Sequence, residues 1–423
     1  MSRLQYLKSG VVDGAEEDVE QHVKVVLSQG LNDGSVLSFR LPADPERFTD
    51  LSSILLQLQV SLCAPDGTLI HVKPEEQVEE DHVCLEGGGM HSLLKTCDVL
   101  FNDKHVSNMS YYPISATIIR YLGSASNVRQ VWSNFDATFD YQLKKSDLTA
   151  GDAPAWMDDY RDTEYNKREC TGRIYSDVLM TTQQLLPPGV DITINLRRAP
   201  DSFSLISNEA GDYKARIETA AVLAKRLKLR PSLVSSMRKD FSSGVYLNYN
   251  RLEAYAISIL KSVQMQRWIN CLNGAPLPDR IYLAFLSQDS VNGKLTSSST
   301  YLENLSVSSI NCQLNGRDVL VDPIKCKVVK EADGSLDLSK TNMSQGYLTI
   351  LNVFNQIADP TTPMRLTYDM YIKGVTIFCL ELGKCGEKSG PTGSLDLEVS
   401  CIIQILPIPL RLFADKIQRE HGS

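Results

Sequence analysis

Two stretches of this chain leave little freedom in what it can fold into. Val190, Ile192, Ile194 and Leu196 alternate with Asp191, Thr193 and Asn195, and Leu395, Leu397, Val399, Cys401, Ile403 and Ile405 alternate over eleven residues. A side-chain period of two puts apolar groups on one face of an extended strand and polar groups on the other, so each stretch predicts a sheet with one wet side. The same events precede both. Val99-Leu100-Phe101-Asn102 enters a turn, followed by a long connection with a helix, an apolar strand at 173–180 and Pro187-Pro188-Gly189. Cys312-Gln313-Leu314-Asn315 enters a turn, followed by a long connection with a helix, an apolar strand at 375–382 and a Gly/Pro loop at 386–393. The shift is 213 residues from Asn102 to Asn315 and 205 from Val190 to Leu395, near half of the 423-residue chain. Matching order at that shift predicts two copies of one β-sandwich.

The remaining pattern is mostly β. Leu56, Leu58, Val60 and Leu62 alternate with Gln57, Gln59 and Ser61; Pro65-Asp66-Gly67 then makes a turn and 69–72 returns as a strand. Strands are also predicted at 99–101 and 174–179, and at 310–314 running into Asn315-Gly316, a strong hairpin signal. A further buried strand is predicted at 375–380, and Pro407 and Pro409 are expected to interrupt pairing after the long alternation. Helical periodicity is confined to 113–122, with Pro113 in its first turn, and to 346–357. The segment with Glu16, Glu17, Asp18 and Glu20 reads as a solvated arm, and Gly87-Gly88-Gly89 as an exposed loop. Many strands, long polar loops and two short helices predict an all-β sandwich architecture.

Composition narrows the function class. Hydrophobic residues make up 43% and charged residues 22%, as in a folded globular chain. No apolar run reaches the about 18 residues that a membrane span needs, and the first residues do not read as a secretion signal. The ten cysteines (63, 84, 97, 170, 271, 312, 326, 379, 385 and 401) are scattered, several within apolar stretches, and read as buried free thiols of a reducing compartment. The sequons at Asn108, Asn304 and Asn342 are then chance matches. Net charge is -8, against the basic face that genome condensation requires; residues 225–230 could supply only a local basic patch.

Catalytic and metal motifs were weighed and set aside. Gly87-Gly88-Gly89 lacks the Lys and helix of a phosphate loop. The histidines (22, 71, 82, 91, 105 and 421) form no His-x-His or His-x-x-x-His pair, and Cys379 with Cys385 lacks a second pair for zinc. Asp158, Asp159, Asp162 and Glu164 beside Trp156 and Tyr160 could bind a divalent cation or supply an acid/base pair, but such clusters are usually solvated loop faces. No Gly-x-Ser-x-Gly elbow occurs, and no cysteine has a local catalytic signature. The expectation is no catalytic, cofactor-binding or metal-ligating residue, no cofactor, and a protein that is not an enzyme.

Four stretches carry a family resemblance. They are Phe48-Thr49-Asp50-Leu51-Ser52-Ser53 with the 56–60 strand; Asp98 to Ser107 followed by Tyr112-Pro113; Leu185-Leu186-Pro187 to Arg198 with Asp201-Ser202-Phe203-Ser204-Leu205; and Tyr213-Lys214 to Pro231. In this order they resemble the major capsid (hexon-like) proteins of Polinton/Maverick elements and adintoviruses. The likeness covers about residues 30–235 by motif and the rest by order of elements. The helix start Pro113-Ile114-Ser115-Ala116-Thr117 departs from relatives that carry aromatic and acidic residues there, and 131–136 keeps only Trp132 and Asp136.

The resemblance implies two consecutive eight-stranded jelly rolls, with an N-terminal arm at 1–29, a first jelly roll at 30–235 and a second at 236–423. It further implies a pseudo-hexameric homotrimer that tiles an icosahedral shell around a double-stranded DNA genome. The implied partners are further copies of the chain and penton, minor or cement capsid proteins, without sequence-specific nucleic-acid binding or a membrane span. Synthesis in a reducing cytoplasm, nuclear assembly and a final place in the virion would follow. The long loops at 64–95, 133–170 and 286–308 are expected to form outer towers and locking arms. A minor capsid, spike or receptor-binding protein shares the β content but does not require the internal repeat; a jelly-roll enzyme requires clustered His and carboxylate ligands.

Overall fold

A computed structural model describes residues 15–27, 36–69, 83–123, 167–180, 185–207, 211–229, 247–259, 265–269, 271, 278–331, 336–354, 366–382, 395–401 and 408–419. Its first half contains β1 (Ala15–Leu27), β2 (Val36–Leu41), β3 (Arg47–Cys63), β4 (Val83–Leu85), β5 (Leu94–Phe101) and β6 (Lys104–Met109). There follow β7 (Lys167–Arg173), β8 (Leu185–Leu186), β9 (Ile192–Arg198), β10 (Leu205–Ser207) and β11 (Lys214–Leu229). The second half contains β12 (Asn248–Ile259), β13 (Met265–Trp268), β14 (Arg280–Phe285), β15 (Val307–Leu314) and β16 (Arg317–Asp318). It ends with β17 (Ile324–Lys325), β18 (Ile377–Glu381), β19 (Leu395–Cys401) and β20 (Ile408–Arg419).

The first half makes two main sheets, ordered β1-β11-β3-β7 and β2-β9-β5-β6, and a small pair β10-β4; the second makes two more, β12-β20-β14-β18 and β13-β19-β15-β16. Taken strand by strand, the orders are the same. Each half therefore has the eight-stranded jelly-roll plan: first, last, third and sixth main strands in one sheet, and second, seventh, fourth and fifth in the other. Every described strand pair is antiparallel. No described sheet mixes strands from before residue 230 with strands from after residue 247. The chain is all-β, two jelly rolls in series.

The alternating stretches fold as read over the described residues, outside which Ile403 and Ile405 lie. In β3, Leu56, Leu58, Val60 and Leu62 are buried while Gln57 and Gln59 are half-buried. In β9, Ile192, Ile194 and Leu196 are all but inaccessible, and in β19 Leu395, Leu397 and Val399 are likewise. Each such side chain contributes about 1.5–3 kcal/mol when removed from water, so a one-residue slip of either strand would forfeit its whole inner row. The Asn315-Gly316 hairpin is present, with φ of 51° and 78°. Both conformations are left-handed, as a two-residue hairpin turn requires, and β15 pairs with β16 directly across them. The first helix spans Tyr112–Gly123. The second spans Ser344–Val353, and residues 355–357 of its expected extent lie outside the described residues.

Six expectations are corrected. The acidic segment assigned to a solvated arm falls on a strand: β1 pairs with β11 at Ala15 and, after an irregularity that takes in Glu16, Glu17 and Asp18, from Glu20 to Leu27, and forms an edge of the described sheet. The strand expected at 174–179 is a buried turn, and the sheet strand is β7 just before it. There Asp177 accepts the Val178 N–H at 2.8 Å, so a side chain takes a role the ladder would have had. Pro409 does not end a strand but lies within β20, opposite Ser258. β14 pairs with β20 only from Leu410 to Asp415, so among the described strands Pro409 has β12 alone beside it, an edge-like position where proline is tolerated. The basic stretch at 225–230 makes no open patch over its described residues, 225–229: Arg226 is buried, 3.6 Å from Asp44, and Lys228 pairs with Glu46 at 3.0 Å, while Arg230 lies outside the described residues. Finally, Gly87, Gly88 and Gly89 are buried, and so is much of 286–308, which was expected on the outer surface.

Candidate functional site

The feature of this chain that sequence reading did not foresee is the seam where the two sandwiches meet, built from two polar patches. In the first, Glu86 follows β4 and is wholly buried. Its Oε2 accepts the Gly88 N–H at 2.7 Å, folding the side chain back over its own loop. Its Oε1 accepts the Ser298 hydroxyl at 2.6 Å, the Thr300 hydroxyl at 2.6 Å and the Thr300 N–H at 3.2 Å. One carboxyl group of the first sandwich is thus held by three donors of the second, and an acceptor-only group meets only donors.

The backbone shapes this patch. Gly89 has φ of 57°, and Arg120, on the Tyr112–Gly123 helix, reaches the Gly87 carbonyl at 3.4 Å. A Cβ on Gly88 would sit 3.1 Å from Glu86 Oε2 and 3.5 Å from Thr300 Cγ2, so the glycine allows the approach. Alongside, the Ser207 N–H donates to the Leu295 carbonyl at 2.7 Å. Gly293 has φ of 79°, and a Cβ there would lie 2.9 Å from both the N and Cα of Phe203, so main chain touches main chain.

In the second patch the edge strand β12 meets β6 and the 174–180 turn. The Leu252 N–H donates to Asp177 Oδ2 at 3.2 Å, and the Tyr249 hydroxyl donates to the Val106 carbonyl at 2.9 Å. The other oxygen of Asp177 accepts from Val178 N–H at 2.8 Å, from the Ser176 hydroxyl at 3.3 Å and from the Ser107 hydroxyl. Burial raises the Asp177 pKa above the ordinary carboxylate range, against the pull of those hydrogen bonds. Buried apolar residues of both sandwiches form one contiguous cluster around these patches.

The residues weighed from sequence stand elsewhere. Asp158, Asp159, Asp162, Glu164, Trp156 and Tyr160 lie outside the described residues, as do His71, His82, His421 and Cys385. His22 falls on β1 and His105 is exposed on β6. His91 is buried, its Nδ1 3.0 Å from the Tyr112 hydroxyl and its ring 4.9 Å from that of Tyr175, as a core histidine would be. Cys63, Cys84, Cys97, Cys170, Cys271, Cys312, Cys326 and Cys379 are buried, and burial lifts the thiols of Cys271 and Cys326 to about 11 and about 12. Among the described residues no three His, Cys, Asp or Glu side chains come together as metal ligands would. What sequence reasoning missed is Glu86 and Asp177. A signal did exist: each is a lone carboxylate inside an apolar run, Val83-Cys84-Leu85 before Glu86, and Ile174 to Leu179 around Asp177.

No family model and no curated protein matches the chain. Solved structures do. A chain of the Sputnik virophage structure aligns with TM-score 0.59 at 12% identity, over 97% of this chain and 89% of that one. The mavirus major capsid protein aligns with TM-score 0.51 at 9% identity, over 96% and 91%. The Faustovirus major capsid protein gives 0.52 at 10% identity, over 96% and 91%. At this identity the likeness shows a shared fold, and it spans both sandwiches with the joint between them.

Proposed function

We propose that this chain is a major capsid protein: a structural subunit, not an enzyme, that assembles into homotrimers whose six sandwiches fill the sixfold positions of an icosahedral shell. The observation that carries the reading is the repeated strand order of the two sandwiches, joined by a buried seam, in an arrangement shared along nearly its whole length with viral major capsid proteins. A trimer of double units presents six similar lobes with threefold symmetry, and a cyclic trimer closes through a heterologous interface. An obligate interface of that kind buries on the order of 2,000–5,000 Å², which favours a firm trimer, while smaller and more polar contacts between trimers let assembly errors reverse.

The finer parts of the reading rest on the four stretches given above: a double-stranded DNA genome, kinship with Polinton/Maverick elements and adintoviruses, penton and minor or cement partners, and synthesis in a reducing cytoplasm with nuclear assembly. We also place the division between the two units within 230–246, beside the expected 235/236 boundary, with 15–27 in the first unit and not in the 1–29 arm. Size-exclusion chromatography with light scattering, followed by negative-stain imaging, tests the proposal. The expected result is a particle of three chains with a pseudo-hexagonal outline. A monomer at high concentration would overturn it and favour a spike or receptor-binding role.

A further inference from the structure

The seam inside the chain uses one edge of each sandwich and leaves the matching edges over. Within the chain, the edge strand β12 of the second sandwich lies against β6 and the 174–180 turn of the first, through Tyr249 to Val106 and Leu252 to Asp177. By strand order the counterpart of β12 is β1, and the counterpart of β6 is β16. Among the described residues β1 is hydrogen-bonded along one side only, to β11. A strand of thirteen residues with an unpaired side is an edge that proteins normally cover.

The two hairpins correspond residue by residue. The β5–β6 turn is Asn102-Asp103, with φ of 45° and 63°, and the β15–β16 turn is Asn315-Gly316, with φ of 51° and 78°. Counted from these turns, Val106, Ser107 and Asn108 match Val319, Leu320 and Val321. In the first hairpin these positions serve the seam: the Val106 carbonyl accepts from Tyr249, and the Ser107 hydroxyl donates to Asp177. In the second hairpin all three are aliphatic, Val319 and Leu320 are half-buried, and Val321 is wholly exposed at 103%. Lys325 and Lys327 are exposed close by along the chain, whereas β1 carries Glu16, Glu17, Asp18 and Glu20. The acids of the same hairpin are Asp322 and Asp318, and Asp318 accepts from Asn311 and Gln313.

We propose that the 317–323 hairpin of one subunit docks, through Val321, on the β1 edge of the first sandwich in a neighbouring copy of the chain. The inference rests on the trimer reading and says which surfaces make the trimer. Three such contacts alternate with three intrachain seams and close a ring of six sandwiches. By sequence, the charges of Lys325 and Lys327 complement those of Glu16, Glu17, Asp18 and Glu20, which favours this pairing of edges.

The test uses the full chain. Val321 is fully exposed, so Val321→Asp should leave the subunit folded, with an unchanged circular dichroism spectrum, while weakening self-association by about tenfold or more in light scattering against concentration. A photo-crosslinking residue at 321, in an otherwise unaltered chain, should label 15–27 of another subunit in peptide mapping, which keeps the test independent of how the aspartate variant folds. Reversing Lys325 and Lys327 to Glu should weaken the trimer, and adding Glu16→Lys with Glu17→Lys should restore it. If the unaltered chain is trimeric while Val321→Asp trimerises equally well, or the crosslink falls elsewhere, the docking assignment is overturned and the capsid reading stands. If the unaltered chain is monomeric, both fall.

Discussion

Replacing Glu86 with alanine withdraws one acceptor group and strands four donors: the Gly88 N–H, the Thr300 N–H and the hydroxyls of Ser298 and Thr300. The hydroxyls can rotate toward other acceptors, but the two buried N–H groups cannot. Each stranded N–H costs about 1–3 kcal/mol, hence roughly 2–6 kcal/mol for the pair, and the space left by the side chain adds about 1 kcal/mol. The total, about 3–7 kcal/mol, is a large part of the 5–15 kcal/mol that typically holds a domain folded. For a unit of roughly 200 residues each kcal/mol moves the midpoint by about 2–4 °C, so Glu86→Ala should lower Tm by about 6–28 °C. Thermal unfolding followed by circular dichroism reads that shift. Hydrogen exchange reads its location: opening the seam should speed exchange in 286–300 of the second sandwich as well as in 83–93 of the first. A midpoint within about 2 °C of the unaltered protein, or faster exchange confined to 83–93, would refute the view that Glu86 joins the sandwiches.

Other positions make separate demands. Gly293→Ala forces a Cβ to within 2.9 Å of the Phe203 backbone at φ of 79°, and should cost about 2–3 kcal/mol in urea unfolding; a loss under about 0.5 kcal/mol would mean the two backbones are not in contact. Asp177 is raised by burial, so its folded pKa lies above the unfolded value of about 3.9. The native state then binds that proton more tightly, and the contribution is complete below about pH 3.9 and lost as pH rises through the folded value. Urea midpoints of the unaltered chain should therefore fall relative to those of Asp177→Asn from about pH 4 upward, and a gap that stays constant or moves the other way would contradict the assignment. Burial raises the thiols of Cys84, Cys97, Cys271 and Cys326, so peptide mapping after iodoacetamide near neutral pH should find them unmodified until the chain is unfolded. Prompt labelling of Cys84 or Cys97 in the native protein would count against a closed core.

What could be read from the sequence was what local physics decides. A period of two over β3, β9 and β19 fixes both strand and inward face, because the alternative puts the Leu and Ile row in water. Asn315-Gly316 names its hairpin because few residues other than Asn and Gly accept two successive left-handed conformations. The failures share a different cause. Residues 174–179 look like a buried strand because burial, not pairing, is what apolar composition reports, and only the tertiary partners of Asp177 decide that the chain turns there. Gly87-Gly88-Gly89 looks like open loop because glycine signals freedom, whereas here it signals close approach to Thr300, more than two hundred residues away. The acidic strand β1 reads as solvated because its charges outweigh its period, and its place is set by β11 at the far end of the same sandwich. Asp158 and its neighbours lie outside the described residues, so that expectation stands where the sequence left it.

Carboxylates at a joint between two apolar sandwiches call for a reason beyond stability, since leucine would hold the halves together as well. Apolar contact is nearly indifferent to a few degrees of rocking, while a hydrogen bond weakens steeply as its angle closes. At Glu86 one oxygen is fixed by its own loop through Gly88 and the other by Ser298 and Thr300, so tilting the second sandwich stretches three bonds against a fixed anchor. In the proposed ring of six sandwiches the same intrachain angle would occur three times, and closure would add any error up. Glu86→Gln separates angle from adhesion: it keeps the volume and one acceptor, places an amide donor against donors, and should cost only about 1–3 kcal/mol. If the seam sets the angle, trimers of this variant should give class averages of visibly broader outline and shells of mixed size, although the subunits remain folded at the assembly temperature. Outlines as uniform as those of the unaltered chain, alongside a lowered Tm, would mean that Glu86 contributes cohesion alone and that the apolar core around the seam sets its geometry.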